Sequence, residues 1–589
     1  MAQKLVALVG LGLIGSAAAK AVVKEAVATL PSGWQVRDTV MASDAAPMTL
    51  SIAIRHDGMG VLKSRLADIS NPEHRDFGHH LSQDEVAAYR APTKESTDAV
   101  VAWLHSKGLT DTAIYHDWVR FNATLDEASS LFQTEFEYYS YEGGDLHLRT
   151  RSYTLPSEVA HLIDFVHPIT NFMPPQTTRL RQESLAKARS EFQDQANPCS
   201  GSTTPSCIRQ LYNIRYSPPA GPSPVRFGVA GFLEEFVNYQ DVATFLLSYA
   251  NDLPKDYNFT VELVNNGTNP QRISDAGLEA SLDIDYAMAL GYPTNVTYYS
   301  TGGRGVKLDS TGQPLARSDN EPYLEFLEYL LAKPDNQLPH VLSFSYADDE
   351  QTVPLPYALR VCDMLAALTG RGVTIVAASG DGGARGTGQS SCLSNDGSKR
   401  GMTMPTFPST CPYVTTVGAT SSDGPPSSGA SFSTGGFSNL FPRPAWQEAA
   451  VKPYADHSAN SSLAGYFNAS GRAFPDVSAI GTGFIIQWAG SASLVQGTSA
   501  SAPVIGAMLA LVNDARLRAG KNATGWITPL LYSDKMAGIF QDIVSGSSQS
   551  CTFPDGKSGG WPATPGYDCI TGLGVPYDFT KLLAAFMAI

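Results

Sequence analysis

Near the carboxyl end of the chain the sequence reads V-Q-G-T-S-A-S-A-P, residues 495–503. The small turn Gly497-Thr498 leads into Ser499, and Pro503 falls where a first helical turn tolerates a missing N–H. The apolar run Val504–Leu511 continues the helix and Gly520 stops it. A serine at the mouth of a helix is a candidate nucleophile, and such a serine needs a base. Histidine is the usual base, yet of 11 histidines only His340 and His457 lie beyond residue 170. His340 opens an apolar strand and His457 sits in A-D-H-S-A-N-S-S; neither adjoins a Gly-rich helix start, so a Ser-His-Asp triad is poorly supported.

Carboxylates offer another base. In S-D-A-G-L-E-A-S-L-D-I-D-Y-A-M-A-L-G the spacing predicts a helix capped by Ser274 and closed by Gly291 at C′. Glu279 and Asp283 then lie at i and i+4 on one face, where two carboxylates repel when both are ionised and share a proton when one is not. A solvated acidic face is the alternative; the apolar and small residues Leu278, Ala280, Ser281 and Leu282, with no Lys or Arg within a turn, weigh against it. In V-T-I-V-A-A-S-G-D-G-G, residues 373–383, an apolar strand delivers Asp381 onto a Gly-rich loop. That is where α/β proteins place functional groups, and equally where an Asx-turn ends a strand. Asp542 and Asp568, amid Gly/Pro turns in F-Q-D-I-V-S-G and T-P-G-Y-D, are either Asx-turn residues or hard oxygen ligands suited to Ca²⁺.

These residues need a scaffold. From about residue 205 onward, apolar strands at 226–232, 340–346 and 372–379 alternate with helical stretches at 240–250, 274–290, 322–331 and 355–368. That alternation predicts an α/β domain with a doubly wound parallel sheet covered on both faces. Between Trp34 and Phe172 shorter β-like and amphipathic helical segments predict a smaller α+β module. Residues 174–204 are charged and Gln/Ser-rich, then Pro/Ser-rich, and read as an exposed linker open to a protease.

At 589 residues two or more domains are expected. A net charge of −15 argues against a nucleic-acid partner. The opening residues contain Gly10, Gly12 and Gly15 in the pattern of a dinucleotide fingerprint, but no βαβ unit follows. Lys4, an apolar run and small residues at Ala17–Ala19 instead fit a signal peptide over residues 1–19, leading to a secreted, extracellular protein with no membrane span. Seven cysteines without C-x-x-C pairs fit disulfides of an oxidising compartment. The local pairs 199/207, 392/411 and 551/569 are expected, with Cys362 a buried thiol. Glycosylation sequons stand at Asn122, Asn258, Asn266, Asn295, Asn460, Asn468 and Asn522.

Taken in order, Glu279-x-x-x-Asp283, Ser379-Gly380-Asp381 and Gly497-Thr498-Ser499-x-x-x-Pro503 resemble the sedolisins, the serine-carboxyl peptidases that include secreted tripeptidyl-peptidases. N-P-E-H-R-D-F-G-H-H-L-S at 71–82 is similar to that family's activation prodomain, S-C-I-R-Q-L-Y-N-I at 206–214 to the start of its mature enzyme, and S-F-S-Y, G-G-F-S and P-D-V-S-A to later strands and loops. The resemblance implies a signal peptide at 1–19, a prodomain at 20–173, a cleavable linker at 174–204 and a subtilisin-like peptidase domain at 205–589. It implies Ser499 as nucleophile, Glu279 as general base and later acid, Asp283 as the residue orienting Glu279, and Asp381 as oxyanion-hole donor beside the Ser499 N–H. It further implies one Ca²⁺ held by Asp542, Asp568 and the carbonyls of Ile543, Thr564 and Gly566, with Thr564 where Gly is common. Gln496, before G-T-S, is another departure, confined to the rim.

The implied partners are peptide or protein substrates, with the prodomain as intramolecular inhibitor. A carboxylate base suits acid: at pH 4 about 0.3% of ordinary histidines are unprotonated, against about a third of glutamates. Only a protonated Asp381 donates to an oxyanion, which sets the matching limit towards neutrality. Tripeptidyl-peptidase, endopeptidase and a catalytically silent binding protein are the competing readings.

Overall fold

The computed structural model describes residues 21–28, 30, 34–37, 47–141, 146–170, 172, 181–183, 199, 202–303, 307–308, 314–315, 322–387, 392–396, 398–421, 427–459 and 463–589. The expected signal peptide with its three glycines, most of the expected linker and the sequon at Asn460 lie outside the described residues.

The large domain is built on seven parallel strands: β1 (Arg226–Gly231), β2 (Thr260–Val264), β3 (Asn295–Thr301), β4 (Val341–Phe344), β5 (Thr374–Ala378), β6 (Thr415–Ser421) and β7 (Val477–Ile480). Their spatial order is 2-3-1-4-5-6-7, with the short Ser428–Gly429 segment added antiparallel on β6. The order reverses at the junction of β1 and β4, and beyond the carboxyl ends of such a junction an open α/β sheet leaves a crevice. Successive strand residues enter different cores: Val376 and Ala378 belong to one apolar cluster, Ile375 and Ala377 to the other. Four helices matter to the site: α1 (Leu278–Gly291), α2 (Tyr323–Ala332), α3 (Leu355–Gly370) and α4 (Thr498–Arg518). Helices α1 and α4 lie in the first core, α2 and α3 in the second.

Close approach of α1 and α4 rests on small residues. A Cβ on Gly291 would touch that of Ala507 at 3.8 Å, and one on Gly506 would lie 2.8 Å from the Phe227 ring of β1. Both helices are buried almost all round, so neither has a solvent stripe to betray its ends by hydropathy. Helix α1 starts later than expected. Ser274 is held in a 3₁₀ turn over Ile273–Asp275, Gly277 is the N-cap without a side-chain bond, and Gly291 is the last helical residue rather than C′.

The amino-terminal module has a four-stranded antiparallel sheet built around Pro47–Ile54 and Trp118–Thr124, with helices Met59–Ile69, Gln83–Arg90 and Lys94–Ser106. Its Met59, Leu62, Leu66, Ile69 and Trp118 share the apolar cluster of α2 and α3, so the module shares a core with the outer helical layer. A buried ion network crosses the same boundary. Arg90 donates to Asp117 at 3.1 Å and to Glu328 of α2 at 2.6 Å, and Arg360 of α3 donates to Asp117 and, at 2.7 Å, to Asp164. His80 enters a slot walled by Gly372 and Gly525, where a Cβ would lie 2.7 and 2.6 Å from its ring; its Nε2 bonds the Ala523 carbonyl at 2.9 Å.

Of the three expected disulfides only Cys199–Cys207 forms. Cys362 of α3 pairs with Cys411, and Cys392 with Cys551, leaving Cys569 as the buried thiol. Bridging requires Cα atoms within about 4.4–6.8 Å. The packing of α3 over the turn before β6 brings Cys362 and Cys411 to 5.6 Å, and converging loops bring Cys392 and Cys551 to 5.7 Å across 159 residues. Sequence proximity is therefore the wrong guide for 392/411 and 551/569.

Candidate active site

Three connections at the carboxyl edge of the sheet deliver the candidate residues. Helix α4 begins at Thr498 after the hairpin Phe484–Trp488/Ser491–Gln496, and its first turn carries Ser499. Helix α1 brings Glu279 in its first turn and Asp283 one turn later, both buried. The loop after β5 brings Asp381, following Gly380 at φ +109°, where a left-handed backbone favours glycine.

Thr498 ties two of these together. Its N–H donates to Asp381 Oδ1 at 2.7 Å, its hydroxyl contacts the same oxygen at 2.9 Å, and Gly380 N–H donates to that hydroxyl at 3.0 Å. Asp381 is thereby fixed beside the start of α4. Ser499, Asp283 and Asp381 all lie close enough to Glu279 to act on its ionisation, the Ser499 hydroxyl favouring the charged form, and Asp283 Oδ1 accepts from Ser345 just beyond β4 at 2.9 Å. All four expected residues thus converge at the sheet's carboxyl edge. Burial first, then the charges of Asp283 and Glu235, holds Glu279 well above the ordinary glutamate range. Burial raises Asp283 likewise. The solvated-face reading of the pair does not hold, since Glu279 and Asp283 are 2% and 1% exposed.

Histidine plays no part among the described residues of this cluster. His340 immediately precedes β4, at the opposite edge of the sheet, and its Nδ1 accepts from the Arg226 N–H at 3.1 Å; burial and Arg226 push it down to about 4. His457 is exposed, its ring bonded to the Pro453 carbonyl.

Glu235 was not legible as a site residue. It follows the β1 end through Leu233 and Glu234, both left-handed at φ 58° and 55°, and its Oε2 accepts from the N–H groups of Glu279 at 3.0 Å and Ala280 at 3.5 Å. It caps α1 from 44 residues away, a link that local spacing does not encode.

The two carboxyl-terminal turns also meet: Asp542 Oδ2 accepts from Gly566 N–H at 2.7 Å. Asp568 is fully buried, accepts from the N–H groups of Ile570 and Thr571 at 2.8 Å each, and is pushed by burial up to about 7. Ile543 is buried beside them, while Gly566 is exposed and Thr564 half-buried. Two carboxylates on turns joined in this way are hard oxygen donors of the kind that suits a calcium ion.

A helix-start serine at the crevice of a doubly wound parallel sheet, beside a buried carboxylate pair on a neighbouring helix, is an arrangement suited to a serine-type peptidase of subtilisin-like fold. Comparison with known proteins narrows the class. Residues 32–172 match the family model described as Pro-kumamolisin, activation domain, and residues 300–527 match that of the Subtilase family. Tripeptidyl-peptidase sed4 of Aspergillus fumigatus is 38% identical over 588 residues, covering 96% of both chains. Tripeptidyl-peptidase SED2 of Arthroderma otae is 36% identical over 581 residues, covering 95% of this chain and 96% of its own. Among solved structures, Pseudomonas sedolisin complexed with two molecules of pseudo-iodotyrostatin matches with a TM-score of 0.47 at 17% identity, over 66% of this chain and 98% of that one. The chain belongs to the sedolisin family of serine-carboxyl peptidases, and its amino-terminal module is an activation domain.

Proposed function

We propose that the chain is a secreted, acid-acting tripeptidyl-peptidase made as a zymogen. The observation that carries this reading is the convergence of Ser499, Glu279, Asp283 and Asp381 on one buried cluster, with no histidine among its described residues. Glu279 takes the serine proton as Oγ attacks the scissile carbonyl, and returns it to the leaving amine, giving an acyl-enzyme that water then hydrolyses. Asp283 shares the proton load of Glu279 and fixes its orientation. Protonated Asp381, anchored by Thr498 through Oδ1, donates to the developing oxyanion beside the Ser499 N–H. The names of the curated relatives and the activation domain support tripeptide release and zymogen synthesis. Disulfides and the leader-like amino terminus support secretion.

Asp542, Asp568 and the carbonyls of Ile543, Thr564 and Gly566 would hold one Ca²⁺, which would supply positive charge between two loops and stabilise the fold. Adding Ca²⁺ is expected to raise the melting temperature of the full chain, and Asp568→Asn to abolish that rise; equal melting with and without the ion would remove the site.

The activity test acidifies the full chain to permit maturation, then offers a reporter tripeptide at pH 4 with a free or an acetylated amino terminus. Cleavage of the free form alone, lost in Ser499→Ala, is expected. Equal cleavage of both forms would indicate an endopeptidase. Activity unchanged in Ser499→Ala would sink the mechanism.

A further inference from the structure

An enzyme that releases three residues from a free amino terminus needs a partner for an ammonium group at a fixed distance from its nucleophile. The α-amino group, with an ordinary pKa of about 7.7–8.0, stays cationic throughout acid, so that partner is a carboxylate facing the cleft. Several carboxylates around this site are already engaged. Glu350 accepts from the Ser438 hydroxyl and from the Asn439 N–H, and Asp349 from the Thr387 N–H. Asp241 and Asp285 are moreover committed to N–H groups of the hairpin that precedes Ser499, at Gly490 and Gln487.

Glu235 differs. Its side chain is half-buried, Oε2 is fixed by the first N–H groups of α1, and Oε1 has no donor among the described residues. Its position is built, not incidental. The Tyr298 hydroxyl donates to its carbonyl, its own N–H bonds the Phe232 carbonyl at 3.1 Å, and Gly277 N–H bonds that of Phe236 at 2.8 Å. A Cβ on Gly277 would lie 2.1 Å from Glu235 Oε2 and 2.8 Å from its Cα, so the carboxylate occupies space that only glycine leaves open.

We propose that Glu235 receives the free amino group of the peptide substrate and thereby sets the three-residue count. The inference rests on the tripeptidyl-peptidase reading above. Its reach fits. Glu235 Oε2 is 3.0 Å from the backbone N–H of Glu279, the residue whose side chain serves the Ser499 end of the cleft, and three extended residues, at about 3.3 Å each, are what would lie between the two ends. Its electrostatics fit as well. No cation is among the main influences on Glu235, Glu279 or Asp283. A docked ammonium supplies the positive charge this cluster lacks and favours the ionised, proton-accepting form of Glu279. Recognition at the third residue therefore helps the chemistry at the first, an instance of remote binding acting on the transition state.

The experiment compares kcat/KM for one reporter tripeptide bearing a free amine or a hydrogen in its place, in the matured wild type and in Glu235→Gln. Gln keeps an oxygen for the Glu279 N–H but loses the charge. Wild type is expected to favour the amine strongly. Glu235→Gln is expected to lose about tenfold to hundredfold on the amine substrate, as when one partner of a charge-assisted hydrogen bond is removed, and little on the des-amino one. Gly277→Ala, which displaces the carboxylate by another route, is expected to repeat the selective loss, and Glu234→Gln to leave the ratio unchanged. Equal losses on both substrates would reduce Glu235 to a helix cap and overturn the proposal, as would a ratio that collapses in Glu234→Gln instead. A wild type indifferent to the amine fails at the earlier step, in the tripeptidyl-peptidase reading itself.

Discussion

The surroundings of Glu279, the proposed base, hold its carboxyl well above the ordinary range. Burial, Asp283 and Glu235 all resist its ionisation, while the Ser499 hydroxyl opposes them. Removing one resisting charge is expected to ease ionisation, so Asp283→Asn should move the acidic limb of the kcat/KM profile to lower pH while reducing the maximum. An unmoved limb would show that the two carboxyls do not share their proton. At the oxyanion side, Asp381→Ala is expected to cost about 10²–10³ in kcat. Asp381→Asn keeps a neutral N–H donor and an oxygen for Thr498, so it should retain more activity than Ala and lose the fall towards neutrality. Kinetic profiles of the two variants decide this, and equal losses would deny Asp381 its donor role. The four residues proposed for this machinery could be picked out because each carries a local mark: a small-residue turn before Ser499, an i,i+4 pair, an apolar strand ending at Asp381. Glu235 carries no such mark, since its role is created by a left-handed turn and by the empty space at Gly277.

Helix α1 and the hairpin leading into α4 are joined by buried acids as well as by packing. Asp285 Oδ2 accepts from Gln487 N–H at 3.0 Å, and burial holds its carboxyl well above the ordinary range. The folded state therefore binds this proton more tightly than the unfolded chain, whose aspartates titrate near about 3.9. Stability from this group is greatest below that pH and falls as pH rises towards the folded value, by about 1.4 kcal/mol per pH unit within the window. Asp285→Asn is expected to flatten that dependence, so its melting temperature, measured in a Ser499→Ala background, should gain on wild type steadily from pH 4 to 7. A constant difference would mean that Asp285 is ionised when folded. The same elements show what pattern reading captures. Strands β1, β4 and β5 announced themselves as apolar runs, whereas β6, T-T-V-G-A-T-S, is fully buried yet built of small and polar residues. It is buried because neighbours press on it: a Cβ on Gly418 would lie 2.4 Å from the Ile570 carbonyl. The helix Met59–Ile69 escaped notice too, because its apolar face is completed by α3 of the other domain.

Across the whole molecule, the activation domain is held by groups that answer acid in opposite ways. Burial opposes ionisation of Asp117, but Arg90, His56 and Arg360 outweigh it and keep the carboxyl well below the usual range, so this network persists through mild acid. His80 behaves in reverse. Burial lowers its affinity for a proton, with Arg516 and His79 adding to the effect against the Ala523 carbonyl bond. A histidine lowered in the folded state costs stability as pH falls below its ordinary value near about 6.5. Acid should therefore loosen the domain at the glycine-walled slot first. His80→Gln, neutral and still able to donate, is expected to slow linker cleavage at pH 4 without changing it at pH 7, as followed by gel. Unaltered rates at pH 4 would assign the acid response elsewhere. Residues 181–183 of the linker pair antiparallel with residues 494–496, the strand that ends three residues before Ser499. That pairing is a matter of tethering as well as geometry. While the chain is intact, the docked segment faces the catalytic crevice at an effective concentration of roughly millimolar order, whatever the protein's dilution. One cut in the linker would turn the same contact into a bimolecular one, which dilution would then separate. Dilution alone would thus act as a switch, thrown once and only after the cut.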